Sequence, residues 1–263
     1  MVQVSVIIVN YNTFELTNKC IQSVFDNTKD LNFEIILIDN ASTDENPDKF
    51  KQHFPDIKLI VNPENIGFSR GNNLGINIAN GHYIVLLNSD TELVNNAIKI
   101  TYDKINKDSS IAAISSKLVF PNGKIQHCCQ KFPSLFLDII EKCRIHKLFS
   151  KKTREQLFFG SYFDHQIYAE PDWIWGTFFL FNKKIIEALP GEKLNDEYFM
   201  YMEDMQWCFD FRKNGYKIAY EPQAVVLHHM GGSSADKIML MKENYNKFLK
   251  KNYSSLDYIF LKK

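Results

Sequence analysis

Asp90 follows the apolar run Tyr83-Ile84-Val85-Leu86-Leu87, with only Asn88 and Ser89 between. A run so dry and rich in branched residues predicts a short strand buried on both faces. A carboxylate just past it stands where the strand opens into a polar crevice, and in open α/β sheets ligands lie at the carboxyl ends of strands. A hard divalent cation and a diphosphate suit that place, because Mg²⁺ takes oxygen ligands and bridges phosphates. The competing reading is a solvated turn, with Ser89 or Asp90 capping the next helix. His228 ends a second dry strand, Ala224–Leu227, ahead of a Gly231-Gly232 loop, a placement suited to a metal or phosphate ligand. His229 is the fallback ligand, although alternation along a strand would point it the other way. Asp204 lies in Met202-Glu203-Asp204-Met205, at the start of a helix that runs to Asn214 and stops at Gly215. Cys208 and Phe211 lie on its stripe, so Asp204 turns inward, while Glu203 is rotated by about 100°. The helix N-terminus is expected to keep Asp204 ionised. A surface acid complementing the helix dipole is the alternative.

The elements that must position these groups begin with strands Val4–Val9, Glu34–Ile38 and Ile57–Val61 and the strand before Asn88. Helices are predicted between them. Asn12 and Glu15 have capping-box spacing for the first, which turns Leu16, Cys20 and Val24 inward. A second falls near Asn46–His53. The polar loop Asn65–Asn73 leads into a third, with Leu74 and Ile78 inward. Strand, helix, strand with short loops predicts an α/β fold: a mostly parallel sheet with helices on both faces. Asn10, Asp39 and Asp90 each follow a strand's last apolar residue, so the topology brings all three to one edge. Turn or capping roles remain the alternative for each.

After a helix at Asn95–Lys107 the alternation breaks. Ile111–Ser115 and Lys117–Phe120 read as two strands before a Pro121-Asn122-Gly123 turn. Residues 124–170 are basic and interleaved with apolar side chains. Ser134–Phe149 can form one helix with an apolar face and a basic flank. It is either packed on the core or interfacial beside anionic lipid. Trp173–Phe181 reads as one strong strand, in which Gly176 suggests close approach by a ligand or backbone. Asn182–Leu189 is a short helix, Lys217–Tyr220 and Ala224–Leu227 are the last strands, and the tail 236–263 is a basic amphipathic helix with a short end segment.

Composition narrows the function classes. Of 263 residues 45% are hydrophobic, enough for one sizeable core. Lys+Arg and Asp+Glu are 31 each, a balance that argues against bulk nucleic-acid binding. No apolar run reaches the roughly eighteen residues of a membrane span. Met1-Val2-Gln3-Val4 runs straight into a strand, so no secretory leader is expected. Cys20, Cys128, Cys129, Cys143 and Cys208 are odd in number, lack metal spacing and read as reduced cytosolic thiols.

Together these residues resemble the family-2 inverting glycosyltransferases of GT-A (Rossmann-like) fold, and among them the rhamnosyltransferase-like enzymes of bacterial surface-polysaccharide assembly. The resemblance covers about 4–235. It rests on Val4–Asn12, Asp39–Asp44, Asn65–Phe68, Leu87-Asn88-Ser89-Asp90-Thr91, Trp175-Gly176, Asp196–Phe199 with Glu203-Asp204, and His228 with Gly231 and Ser233. It implies one domain over 1–235, with a donor-nucleotide half to about 110, an acceptor half after it, and 124–170 as an insertion. It implies a nucleotide-diphosphate sugar donor, dTDP- or UDP-linked, and a divalent metal, Mn²⁺ or Mg²⁺. Asp39 would hold the base, beside Asn10, Asn12, Asn40 and Asp44. Asn65, Gly67 and Asn73 would line the nucleotide and sugar, with Asn88 and Ser89 close by. Asp90 would be the main metal ligand, completed by His228. Asn88 stands where a first Asp is common, so it binds through its amide oxygen or not at all. Trp175, Gly176 and Glu203 would face the acceptor, and Asp204 would be the general base. The acceptor would be a glycan or lipid-linked glycan. The expected location is cytoplasmic, with peripheral contact at the membrane's inner face left open.

Two other classes compete. A sugar-1-phosphate nucleotidylyltransferase would want a Gly-rich, basic loop after the first strand, and Asn10–Phe14 has no Gly, Lys or Arg. A non-catalytic nucleotide-sugar binder is conceivable because of Asn88.

Overall fold

The computed structural model describes residues 1–230 and 235–262, the side chain of Ala235 excepted. Its first part alternates β1 (Val4–Asn10), α1 (Phe14–Asn27), β2 (Phe33–Asp39), α2 (Asp48–His53), β3 (Lys58–Val61), α3 (Phe68–Ile78) and β4 (Tyr83–Asn88). Then follow β5 (Thr91–Leu93), α4 (Ala97–Ile105), β6 (Ile111–Val119), β7 (Cys129–Gln130), α5 (Leu135–Lys142), α6 (Lys151–Phe158), β8 (Trp173–Ile174) and β9 (Phe178–Asn182). The last elements are α7 (Glu203–Lys213), β10 (Lys217–His228), α8 (Ala235–Asn252) and α9 (Ser255–Leu261).

Among the described residues, eight strands form one sheet in the order β3-β2-β1-β4-β9-β6-β10-β5, and β7 pairs with β8 apart from it. The pairs β1–β2, β1–β4, β2–β3 and β6–β10 are parallel; β9 and β5 run antiparallel to their neighbours. This is the expected α/β architecture, a mostly parallel sheet flanked by helices. Every residue of β1 is buried, as its unbroken apolar run requires. Full burial of each such Ile or Val contributes about 1.5–3 kcal/mol. No helix among the described residues is long and apolar enough to cross a membrane.

Several local expectations are corrected. Asn12 does not cap α1. It adopts φ +53° and its Oδ1 accepts from the Thr43 amide, 2.7 Å away. The orphan amide of Phe14 at the helix start donates instead to Asp44 Oδ2 at 2.9 Å. Residues 111–119 are one strand rather than two. So are 217–228, with a register shift between Glu221 and Val225 that accommodates Pro222. The 134–149 helix breaks: Arg144 sits at φ +59° and a 3-10 turn, Ile145–Leu148, replaces its second half. Asn182–Leu189 shrinks to a 3-10 helix, Lys183–Ala188. Trp173–Phe181 is two strands in two sheets, parted at Trp175-Gly176-Thr177. That break leaves the Gly176 amide outside the main sheet's ladder, with a different use described below.

Candidate active site

Parallel pairing sets Asn10 beside Asp39 and Val9 beside Asn88, so three strand ends open on one edge. Asn10 Nδ2 donates to Asp39 Oδ2 at 2.7 Å and lies 3.0 Å from Ser42 Oγ. Asn10 Oδ1 accepts from the hydroxyls of Thr13 and Thr17 at 2.8 and 2.9 Å. The second Asp39 oxygen accepts from the Ser42 amide at 2.9 Å. Thr13 Oγ1 also lies 3.0 Å from Ser89 Oγ, so a chain of hydrogen bonds runs from Asp39 to the residue before Asp90. Asn12 and Asp44 border an open cavity of about 360 Å³ at the start of α1. Asn40 is wholly inside: Nδ2 donates to the Gly67 carbonyl, and Oδ1 accepts from Asn62 Nδ2 at 2.7 Å.

Gly67 begins the polar loop's helix at φ +85°, where a Cβ would come 2.6 Å from the Phe199 carbonyl oxygen. Only glycine fits a backbone so close and so turned. Asn65 Oδ1 accepts from the Gly67 amide at 3.0 Å. Asn73 is spent on structure, since both ends of its amide pair with the Leu194 backbone. The buried Asn72 Oδ1 has no partner among the described residues.

Asp90 and His228 come together through β5, a strand that sequence reading missed. Thr91 Oγ1 donates to the Asn88 carbonyl at 2.7 Å and folds the chain back; Thr91 then pairs with His228. His228 Nε2 lies 3.3 Å from Asp90 Oδ1. Its Nδ1 is 2.7 Å from Gln126 Oε1, and Gln126 Nε2 donates to the His228 carbonyl at 2.9 Å. Gln126 thus orients the imidazole, taking the Nδ1 proton and leaving Nε2 directed at Asp90. Burial raises the Asp90 carboxyl, but the bond to His228 and its charge outweigh this and hold it below the usual carboxylate range. His229 points elsewhere, to Glu92 at 2.7 Å. Asn88 is half-buried, and no hydrogen bond among the described residues occupies its side-chain amide. Gly231 and Ser233 lie outside the described residues.

Asp204 Oδ2 accepts from the Gly176 amide at 3.0 Å and Oδ1 from the Met205 amide at 2.8 Å. Cys208 and Phe211 are fully buried, in line with the inward stripe. The expected charge state is corrected. Burial pushes the Asp204 carboxyl up to about 6, against the pull of the Gly176 and Met205 amides. The helix terminus does not win, because desolvation of a carboxylate outweighs two backbone bonds here. Glu203 is corrected too. It is not the outer acid but the more buried of the pair, 7% exposed, with Oε2 unpartnered among the described residues. Burial and the Asp204 charge push its carboxyl well up. A Cβ on Gly176 would lie 3.4 Å from the Asp204 Cβ, so the two residues pack directly. Trp175 beside them is half-buried.

Residues 5–189 match the model of glycosyl transferase family 2. The chain belongs to that family. This glycosyltransferase is 23% identical, over 216 residues, to N-acetylglucosaminyl-diphospho-decaprenol L-rhamnosyltransferase of Mycobacterium tuberculosis, a match covering 76% of the chain and 67% of the relative. Glycosyltransferase GlyG of Streptococcus pneumoniae is 30% identical over 112 residues, 41% of this chain and 37% of GlyG. The mannosyltransferase PcManGT from Pyrobaculum calidifontis, solved with GDP-Man and Mn²⁺, superposes with a TM-score of 0.64 at 16% identity. That match covers 96% of this glycosyltransferase and 65% of the mannosyltransferase, and it shows the GT-A fold. The chain spans about two thirds of the length of the rhamnosyltransferase and the mannosyltransferase.

Gln126, Thr13, Asn62 and Leu194 were not found by sequence reading. Each acts by holding another residue, through contacts that join distant segments, and none belongs to a local motif.

Proposed function

We propose that this glycosyltransferase moves a hexose, rhamnose or another, from a dTDP- or UDP-linked donor to a hydroxyl of a glycan or lipid-linked glycan, inverting the anomeric carbon. One observation carries the reading. Asp204 hangs on the Gly176 amide, and the next residue, Thr177, accepts from the Asn88 amide at 3.0 Å. A two-residue piece of backbone therefore joins the inward carboxylate to the strand end that delivers Asp90.

In this reading Asn10, Asn12, Asp39, Asn40 and Asp44 shape the nucleotide side, with Asn65, Gly67 and Asn73 building its loop and Ser89 tying it to Asp90. Asp90 and His228 would hold the divalent ion, Mn²⁺ or Mg²⁺, with Asn88 the adjacent oxygen donor. The residues fit: a carboxylate oxygen and an imidazole nitrogen face each other 3.3 Å apart. Ligands on one octahedral ion are separated by roughly 3 Å. When bound, the ion supplies Lewis-acid stabilisation of the diphosphate leaving group. Asp204 takes the proton of the acceptor hydroxyl, which Trp175 and Gly176 border. A carboxyl raised to about 6 is well suited to this, being ionised at neutral pH yet more basic than an exposed acid. Glu203, its carboxyl pushed well up by burial, lies beside it in the chain. Residues 1–110 and 111–235 work as donor and acceptor halves of one domain.

The segment 124–170 favours a place at a membrane's inner face. Ile140, Phe159 and Phe163 pack inside, yet Phe136, Ile139 and Leu148 are 66%, 56% and 84% exposed. Lys142, Arg144 and Lys147 lie among them. A lipid-linked acceptor, like that in the name of the mycobacterial relative, would be met there.

The test is calorimetry with dTDP, UDP and GDP plus Mn²⁺, followed by turnover of the sugars they carry and the anomeric configuration of the product. Asp90→Ala and His228→Ala are expected to weaken metal-dependent nucleotide binding. Equal binding with and without metal would remove the ion from the mechanism, and a retained configuration would remove the single displacement. Sedimentation with anionic vesicles at low salt, lost at high salt, tests the membrane contact.

A further inference from the structure

Cys128, Cys129 and His165 are all fully buried, and no step described above uses them. Their ligand atoms lie within 4.8 Å of one another. In a tetrahedral zinc centre two thiolate sulfurs stand roughly 3.7 Å apart, so a small adjustment closes this set on one ion. The imidazole is already prepared. His165 Nδ1 lies 2.8 Å from the Phe163 carbonyl, which fixes its proton there and leaves Nε2 as the lone-pair nitrogen. The Cys129 amide lies 3.5 Å from Nε2, too far for a strong bond. The backbone of His165 is held at φ +58°, and its carbonyl accepts from Tyr220 Oη at 2.9 Å. A strained conformation kept in a dry core has a use to be found. The Ser116 carbonyl, 3.6 Å from Cys128 Sγ, puts an oxygen ligand within reach of the same ion.

We propose that Cys128, Cys129 and His165 form a structural zinc site. Two thiols give up their protons to solvent as two Zn–S bonds form, and the neutral imidazole adds through Nε2. The ion closes a 36-residue span and staples the ends of the segment carrying α5 and α6 to the core. The Cys128 carbonyl accepts from the Trp175 amide at 3.2 Å, so the staple sits next to the backbone that holds Asp204.

Elemental analysis of the full chain, purified without chelator, is expected to give about one zinc per chain. The Asp90→Ala/His228→Ala double variant should keep that zinc, and Cys128→Ser/Cys129→Ser should lose it. Cobalt substitution of the wild-type chain should give intense thiolate-to-metal absorption, a readout that needs no variant to fold. Removing zinc with a chelator should open 124–170 to limited proteolysis. A wild-type chain without zinc, or one whose zinc goes with Asp90 and His228 and not with the cysteines, overturns the proposal. Neither result bears on glycosyl transfer.

Discussion

The proposed donor edge and the proposed acceptor side are built on opposite terms. At the donor edge almost every polar atom has a partner: both oxygens of Asp39, both ends of Asn10 and Asn40, and Ser42 Oγ. Such a network is rigid before any ligand arrives. The acceptor side holds the raised and unpaired groups. Tyr201 and Met202 have φ +69° and +71°, Glu203 buries an unpartnered oxygen, and two adjacent carboxyls are raised by burial. Asn244 of α8 clamps this loop from outside through the carbonyls of Met200 and Tyr201. The contrast fits the proposed roles, recognition at the fully bonded edge and proton transfer where two carboxyls are raised, since shifted carboxyls cluster where chemistry is done.

The largest expected effect breaks the comparison at its reactive end. Asp204→Asn should cost roughly 10²–10⁴-fold in turnover and leave nucleotide-diphosphate affinity intact, measured by single-turnover kinetics beside calorimetry. Near-normal turnover would move the base to Glu203 or Asp196. The same variant carries a stability signature. The folded pKa of Asp204, about 6, lies above its unfolded value, so its contribution to stability is fully present below the unfolded pKa and fades as pH rises through 6. Asp204→Asn should therefore raise the melting temperature relative to wild type at pH 8 and not at pH 4.

Next comes the support of His228. Gln126→Ala should weaken Mn²⁺-dependent nucleotide binding about 10–100-fold by freeing the imidazole, with His228→Ala weakening it at least as much. Unchanged metal dependence in both would separate this pair from the donor site. The pH profile is a tenfold effect per unit: kcat/KM should fall with unit slope below about pH 6, as Asp204 gains its proton. A profile flat to pH 5 would contradict its assignment as base. The smallest effect sharpens the boundary between the two regions. Gly67→Ala meets the Phe199 carbonyl and should cost about 1–3 kcal/mol of stability in denaturant melts. A neutral result would mean the two sides are not in close register.

Sequence alone determined the alternating first half, because dry branched runs separated by amphipathic stretches leave few arrangements other than a parallel sheet. It also placed Asn10, Asp39 and Asp90 at one edge, since parallel strands share the direction of their ends. The motifs around them were enough to name the family. It failed where contacts join distant segments. β5 is three residues long and forms only because β10 offers it an edge, so the Asp90–His228 pair needed the fold. Trp173–Phe181 has the period of a single strand, yet packing of Gly176 against Asp204 divides it. The helix phase of Asp204 was legible, but its charge state was not. Desolvation depends on what surrounds a carboxyl in three dimensions, and the local helix terminus is the weaker influence. Cys128 and Cys129 show no metal spacing with His165 along the chain. Only the fold of 124–170 brings the three together, because ligand geometry is set by distance in space and not by separation in sequence.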